Sequence, residues 1–260
     1  MIKTTSKLYS CTFENIYFPR IQDIGSSKSD ITKYVRFKTP VEGFNNNYHS
    51  TCSVLITDLS KSEEDILGEF SRTTKQQIRK CMKENSVDIK YYTYEDLEKD
   101  EQIIADFKKT YMSYCEQSDK PHMTKAYSDD FVHQLIHQRC ILMTKAEFPN
   151  GKVYHLYIWD SENSYLIFIA SDRLKENVEA ILAGMANKLL IYKGMLWLKA
   201  KGVRNYELGD ISDRENPDSI EKFKLLFGGS PVKVYTYYVG NTTKGRLMTG
   251  IKKRMSQARP

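Results

Sequence analysis

Cysteine is sparse and poorly spaced for chemistry in this 260-residue chain: Cys11, Cys52, Cys81, Cys115 and Cys140 form no CxxC or CxxxC pair and are odd in number. That spacing supports neither a thiolate zinc site nor a disulfide framework, and it fits a reducing compartment. Long apolar runs are also missing. No stretch of 18 apolar residues occurs, and the opening text MIKTTSKLYSCTFENIYF has no signal-peptide apolar core, so neither secretion nor membrane spanning is expected and a cytoplasmic location is. Acidic residues are absent from the last seventeen positions, where Lys244, Arg246, Lys252, Lys253, Arg254 and Arg259 contribute six positive charges. These account for the whole net charge of +6, so residues 1–243 are formally neutral. The body therefore does not read as a general nucleic-acid binder. An anionic partner is expected for the basic tail, 244–260, or for local clusters; for the tail, tRNA or an anionic membrane surface at the inner face of the membrane would serve.

The first fifty residues are polar and strand-poor, and RFKTP (36–40) and GFNNNYHS (43–50) read as turns. STCSVLITDL (50–59) reads as a strand, with Ser60 and Ser62 as helix starts ahead of Glu63, Glu64 and Asp65. Apolar spacing over 63–84, interrupted at FSRTT, predicts two short helices, the second carrying Arg72, Lys75, Arg79, Lys80 and Lys83 largely on one side. A strand at 87–94, a helix at 96–117 and a short helix at 128–138 follow. CILMTKAEF, KVYHLYIWD and SYLIFIASD then form a three-strand meander. A helical stretch over 175–201 stops at Gly202, and Gly184 and Gly194 within it weigh against a single unbroken helix. VRNYELGDI, SIEKFKLLFGG and PVKVYTYYV complete the order as strand, helix and strand. Alternating Val/Ile/Tyr segments mixed with helices predict an α+β protein, a sheet with helices on both sides.

Several segments then fall into a recognisable series. The downstream text supplies Lys201–Gly202 at a helix end, Tyr206–Glu207–Leu208–Gly209 on a strand, and Phe223–Lys224 followed by Phe227–Gly228–Gly229. Upstream, SRTTKQQIRKCMKENSVDI places Arg79 and Lys80 at the centre of a basic helix before a strand. In this order, over about residues 50–240, the segments resemble the Fem-type peptidoglycan bridge-forming aminoacyltransferases, a FemAB-like branch of the GNAT acyltransferase superfamily. The resemblance implies a GNAT-like fold with a mixed central sheet flanked by helices. It divides the chain into a reduced N-terminal subdomain with the basic helix (1–86), an acyltransferase domain (87–243) and the basic C-terminal tail (244–260). It also implies transfer of an acyl or aminoacyl group to an amine on a nucleotide-linked or lipid-linked precursor of the cell envelope or a surface polysaccharide. The donor would be acyl-CoA or aminoacyl-tRNA. The RxxGxG/A pyrophosphate loop of CoA-using relatives is not matched, since SDRLKENVEA stands at that place.

Chemistry assigns candidate roles, each beside a plainer structural one. Lys224 can stabilise a developing oxyanion or bind donor phosphate, with Gly228 and Gly229 permitting close backbone approach; the alternative is a surface lysine ahead of a helix cap. Phe223 would position substrate or fill the core. Asp210 or Glu207 can accept the acceptor amine's proton, or can simply cap the following loop. Arg72, Arg79 and Lys80 suit a diphosphate, against a solvated basic face. His155 sits in an alternating strand, as a cleft base or as a packed residue. The tyrosines at 91, 92, 94, 235, 237 and 238 can line a groove or pack a sheet. His133 and His137 share a helix face without a third ligand, so no metal is expected. No nucleophile elbow occurs, and direct amine attack on an activated acyl group needs none. A non-catalytic RNA-binding or regulatory protein retaining the fold is the competing expectation.

Overall fold

The computed structural model describes residues 1–8, 10–25, 27–42, 48–118, 121–211 and 217–257. The chain forms two compact units. One comprises Met1–Val54, Asp210–Ser212 and Pro231–Pro260, the other Leu55–Gly209 and Asp213–Ser230. The sequence boundary expected at 86 falls inside the second of these, between a helix and a strand that belong to it.

The first unit is richer in strands than its composition suggests. β1 (Ile2–Leu8) and β2 (Cys11–Tyr17) form a hairpin, β2 runs parallel to β3 (Ile31–Phe37), and β3 pairs antiparallel with β10 (Ser230–Gly240). The polar lead expected to be irregular is thus sheet. Its pattern hides this because only Ile2 and Thr4 of β1, and Cys11 and Ile16 of β2, are buried; the outward residues are polar. Ile16, Tyr34, Phe37, Val41 and Tyr237 make its core. Of the turns expected at 43–50, residues 43–47 lie outside those described. The segment expected as a tail contains helix α8 (Thr243–Gln257). β4 (Tyr48–Asp58) begins in this unit and ends in the other.

In the second unit, α1 (Glu63–Gly68) and α2 (Arg72–Glu84) are the two short helices expected, capped by the hydroxyls of Ser62 and Ser71, which accept from the Asp65 and Thr74 N–H groups. β5 (Asp88–Thr93) precedes α3 (Tyr94–Lys99) and α4 (Glu101–Gln117); the helix expected at 96–117 is broken at Asp100, whose carboxylate caps α4. α5 (Asp129–His137) leads into the meander β6 (Ile141–Phe148), β7 (Gly151–Trp159) and β8 (Asn163–Ser171). α6 (Ala180–Ala200) is followed by β9 (Asn205–Ile211) and α7 (Ser219–Leu225). Strand order is β9-β8-β7-β6-β5, antiparallel except for the parallel β8–β9 pair.

Helices cover both faces of this sheet. On one side Phe107 and Tyr111 of α4 pack on Phe168, with Phe107 also edge-on to Tyr154. On the other, α6 lies so close that a Cβ at Gly194 would sit 2.5 Å from the Tyr157 hydroxyl. Gly194 therefore permits helix–sheet contact instead of breaking the helix, and α6 runs unbroken for 21 residues. It ends where expected: Gly202 adopts φ +86°, its N–H donates to the Lys199 carbonyl, and the Val203 N–H donates to that of Leu198.

Candidate active site

The parting of two parallel strands opens the site. β8 and β9 pair only at Asn163–Asn205, Ser164–Tyr206 and Tyr165–Glu207, although both continue beyond. β8 also carries a bulge at Ile167, between the partners of Leu156 and Tyr157, which turns it locally. From Tyr165 onward β8 alternates half-exposed Tyr165, Ile167 and Ile169 with buried Leu166, Phe168 and Ala170. This leaves a strand edge bordered by an apolar strip, a surface able to take an extended chain that carries amide groups.

Lys224 reaches this place from α7. Its Nζ would lie 3.3 Å from a Cβ on Gly209, and the Tyr165 ring 3.5 Å from the same point. Gly209, at φ +92°, keeps the floor bare. Strand alternation puts Glu207 on the same face, and Glu207 is buried. Lys224, Glu207 and Gly209 are thus gathered at one spot, together with Tyr165, which no local pattern in the sequence singled out.

The FKLLFGG segment also anchors α7. Phe227 is fully buried and packs edge-on to Phe70 and to Phe223, both at 5.2 Å between centroids. The Ser71 N–H donates to the Leu226 carbonyl at 2.9 Å, joining the start of α2 to the end of α7. Phe223, half-buried in this cluster, sets the helix rotation that aims Lys224. Gly228 and Gly229 have φ +68° and +83°, and Cβ atoms there would approach the Glu69 and Ile56 carbonyl oxygens to 2.6 and 3.0 Å. The Gly228 N–H donates to the Leu225 carbonyl. In the structure this glycine pair serves close backbone packing.

Asp210 lies in the other unit, where its exposed carboxylate accepts from Arg36 Nη2 at 2.9 Å. Arg72 and Arg79 are exposed on α2, seven residues and so about 10 Å apart along one helix face. Among the described residues neither has an ion-pair partner, whereas Lys80 lies 3.9 Å from Glu84, an exposed pairing of little energetic weight. Lys188 of α6, missed in the sequence, adds to this cationic region. Its Nζ donates to the Gln77 side-chain oxygen at 2.6 Å, and burial, then the charge of Arg173, push its pKa down.

The loop before α6 carries a different charge pattern. An open cleft of about 690 Å³ is lined by Gln117, Leu174, Lys175, Glu176 and Asn177. Lys175 pairs with Asp172 at 2.7 Å, and Glu179 occupies the N-cap of α6. Carboxylates at 176 and 179 oppose an anion at this helix start.

His155 is wholly enclosed. Its Nε2–H donates to Asn187 Oδ1 at 2.6 Å and its Nδ1 accepts from the Tyr157 hydroxyl at 3.0 Å, which in turn lies 3.5 Å from that of Tyr206. Burial holds its pKa down at about 4. The neutral ring is therefore part of the seam between β7 and α6. Because the unfolded ring titrates near 6.5, its contribution to stability is complete above that pH, falls as pH drops toward 4, and is gone below. We expect denaturant midpoints to decline across that window by the equivalent of roughly 3 kcal/mol from this group. The His155 ring proton should not titrate between pH 5 and 8 by NMR, and a midpoint near 6.5 would contradict the enclosure.

No protein-family profile matches the chain, and no curated protein matches it significantly. Among solved structures, FemX superposes with a TM-score of 0.53 at 12% identity, over 76% of this chain and 64% of that one. The chain has the fold of FemX. The same α+β arrangement relates it to the C-terminal (DUF2156) domain of a candidate lysylphosphatidylglycerol synthetase from Agrobacterium fabrum, with TM-score 0.54 and 9% identity over 85% of this chain and 72% of that domain. The chain thus spans less than two thirds of the FemX length. The segments that carry the resemblance lie at the end of α6, on β9, on α7 with the turn after it, and on α2.

Proposed function

We propose that this chain is an N-acyltransferase that moves an acyl or aminoacyl group from an activated donor to an amine on a nucleotide-linked or lipid-linked precursor of the cell envelope or a surface polysaccharide. The observation that carries the reading is Lys224 Nζ held over the bare floor of Gly209 where β8 and β9 part. The donor would lie along the β8 edge, its acyl carbonyl beside Lys224. The amine nitrogen then bonds to the carbonyl carbon, the ammonium of Lys224 stabilises the oxyanion, and the bond to the donor's sulfur or oxygen breaks. Glu207, directly or through a water, accepts the amine proton, which passes to the leaving group. The fold shared with FemX and with a domain of a candidate lysylphosphatidylglycerol synthetase supports transfer chemistry in the envelope. Glu176 and Glu179 at the start of α6 favour a donor whose phosphates are not seated there, which suits aminoacyl-tRNA better than acyl-CoA.

The test is product detection by mass spectrometry after incubation with acyl-CoA and aminoacyl-tRNA panels and nucleotide-linked amino sugars. A mass-shifted acceptor in one combination supports the reading. Salt-sensitive RNA binding with no transfer in any combination would instead favour the RNA-binding or regulatory alternative. Within the productive combination, replacing both Arg72 and Arg79 by alanine is expected to raise KM for the phosphate-bearing substrate roughly tenfold or more while kcat changes little. An unchanged KM would remove the two arginines from phosphate recognition.

A further inference from the structure

Helix α8 is fastened on one side and bare on the other. Its inner face carries Gly245, where a Cβ would collide with the Asp30 carbonyl, and buried Thr249. Lys252 extends from the same side between two rings, its Nζ 3.7 Å from the Tyr238 centroid and 5.3 Å from that of Tyr48. The Lys244 ammonium reaches the Ser10 carbonyl in the β1–β2 turn. These contacts order the helix within the first unit.

The outer face presents Leu247, Ile251 and Met255, which are 65%, 45% and 61% exposed. A spacing of four places them in one stripe, drifting about 40° per step. Leu8, at the hairpin tip beside Ser10, is 56% exposed. Arg246 and Arg254 border the stripe on one side and Lys244 on the other, and no carboxylate occurs in the helix. An ordered helix that exposes large apolar side chains between cations is out of place in water alone.

We infer that this outer face is a docking surface for an anionic lipid bilayer, with Leu247, Ile251 and Met255 entering the acyl boundary and Arg246 and Arg254 meeting the headgroups. Charge decides between occupants. A second copy docked through the same face would bring cations against cations with no acid to neutralise them. RNA would satisfy the arginines but leave the aliphatic stripe unused, since the face has no aromatic side chain for stacking. A bilayer carrying anionic headgroups satisfies both the stripe and its borders.

The experiment is flotation of the full chain with vesicles of phosphatidylglycerol and phosphatidylcholine in comparable amounts, against phosphatidylcholine alone. Binding is expected to the anionic vesicles, to weaken with added salt, and to fall roughly tenfold or more in the Leu247→Ser, Ile251→Ser double variant. Both replaced residues are solvent-exposed, so the variant's thermal midpoint should match the wild type. Three results would overturn the inference: no binding of the wild type to anionic vesicles, equal binding to neutral ones, or binding that the double variant retains. Transfer RNA and sizing chromatography serve as the remaining arms. Tight tRNA binding without vesicle binding, or a dimer that the double variant dissolves without vesicle binding, assigns the face to those occupants and rejects the lipid.

Discussion

Lys224→Ala is expected to lower kcat by roughly 10²–10³-fold, the usual cost of removing one preorganised oxyanion donor. The thermal midpoint should hardly move. Lys224 is half-buried at the surface of α7, whereas the helix is held by Phe223 and Phe227 against Phe70. The loss should therefore appear in turnover, with KM for the acceptor little changed, because an interaction made only in the transition state is the one removed. Steady-state kinetics on the donor and acceptor pair that yields product, beside a melting curve, separates the two effects. A folded variant with full turnover would leave Lys224 as an exposed helix lysine and withdraw the proposed mechanism.

Gly228→Ala is expected to cost stability first. The residue adopts φ +68°, and an added Cβ would lie 2.6 Å from the Glu69 carbonyl oxygen, which belongs to backbone and cannot rotate aside. A left-handed conformation costs an L-residue on the order of 1 kcal/mol, and the collision adds to it, so a loss of about 3 kcal/mol or more is expected. Denaturant titration measures this directly. Any activity that survives, assayed below the variant's melting transition, tests whether the glycine pair also faces substrate. Near-normal kcat at reduced stability restricts Gly228 to packing; a fall in kcat matching that of Lys224→Ala would bring its backbone into the reaction.

Much of the second unit was legible because its signals are local. Ser62 and Ser71 mark helix starts through bonds to residues three positions ahead, and Gly202 ends α6 through bonds to the turn just behind it. The meander declared itself by alternation in three consecutive strands with short turns. The strands of the first unit did not, because β1 and β2 each bury only one sparse face and β3 finds its partner β10 about 200 residues later. Alternation weakens to polarity when the outward positions are Thr, Ser, Lys and Glu. The glycines inside α6 misled for a related reason: Gly194 answers to Tyr157, a contact across the sheet face that no helix propensity contains.

Local pattern alone carries the α+β class, the starts of α1 and α2, the end of α6 and a short roll of polar candidates, of which Lys224 and Glu207 come to one place with Gly209. Long-range packing set the rest. It set Tyr165 beside Lys224, enclosed His155 as a neutral ring, paired Asp210 with Arg36, added Lys188 to the cationic region, and turned the basic segment after residue 243 into a helix with an apolar outer stripe. The reason is the range of the forces concerned. Caps, turns and periodicity act within about four residues, while a site depends on which side chains long-range strand pairing and helix–sheet packing bring within a few ångströms.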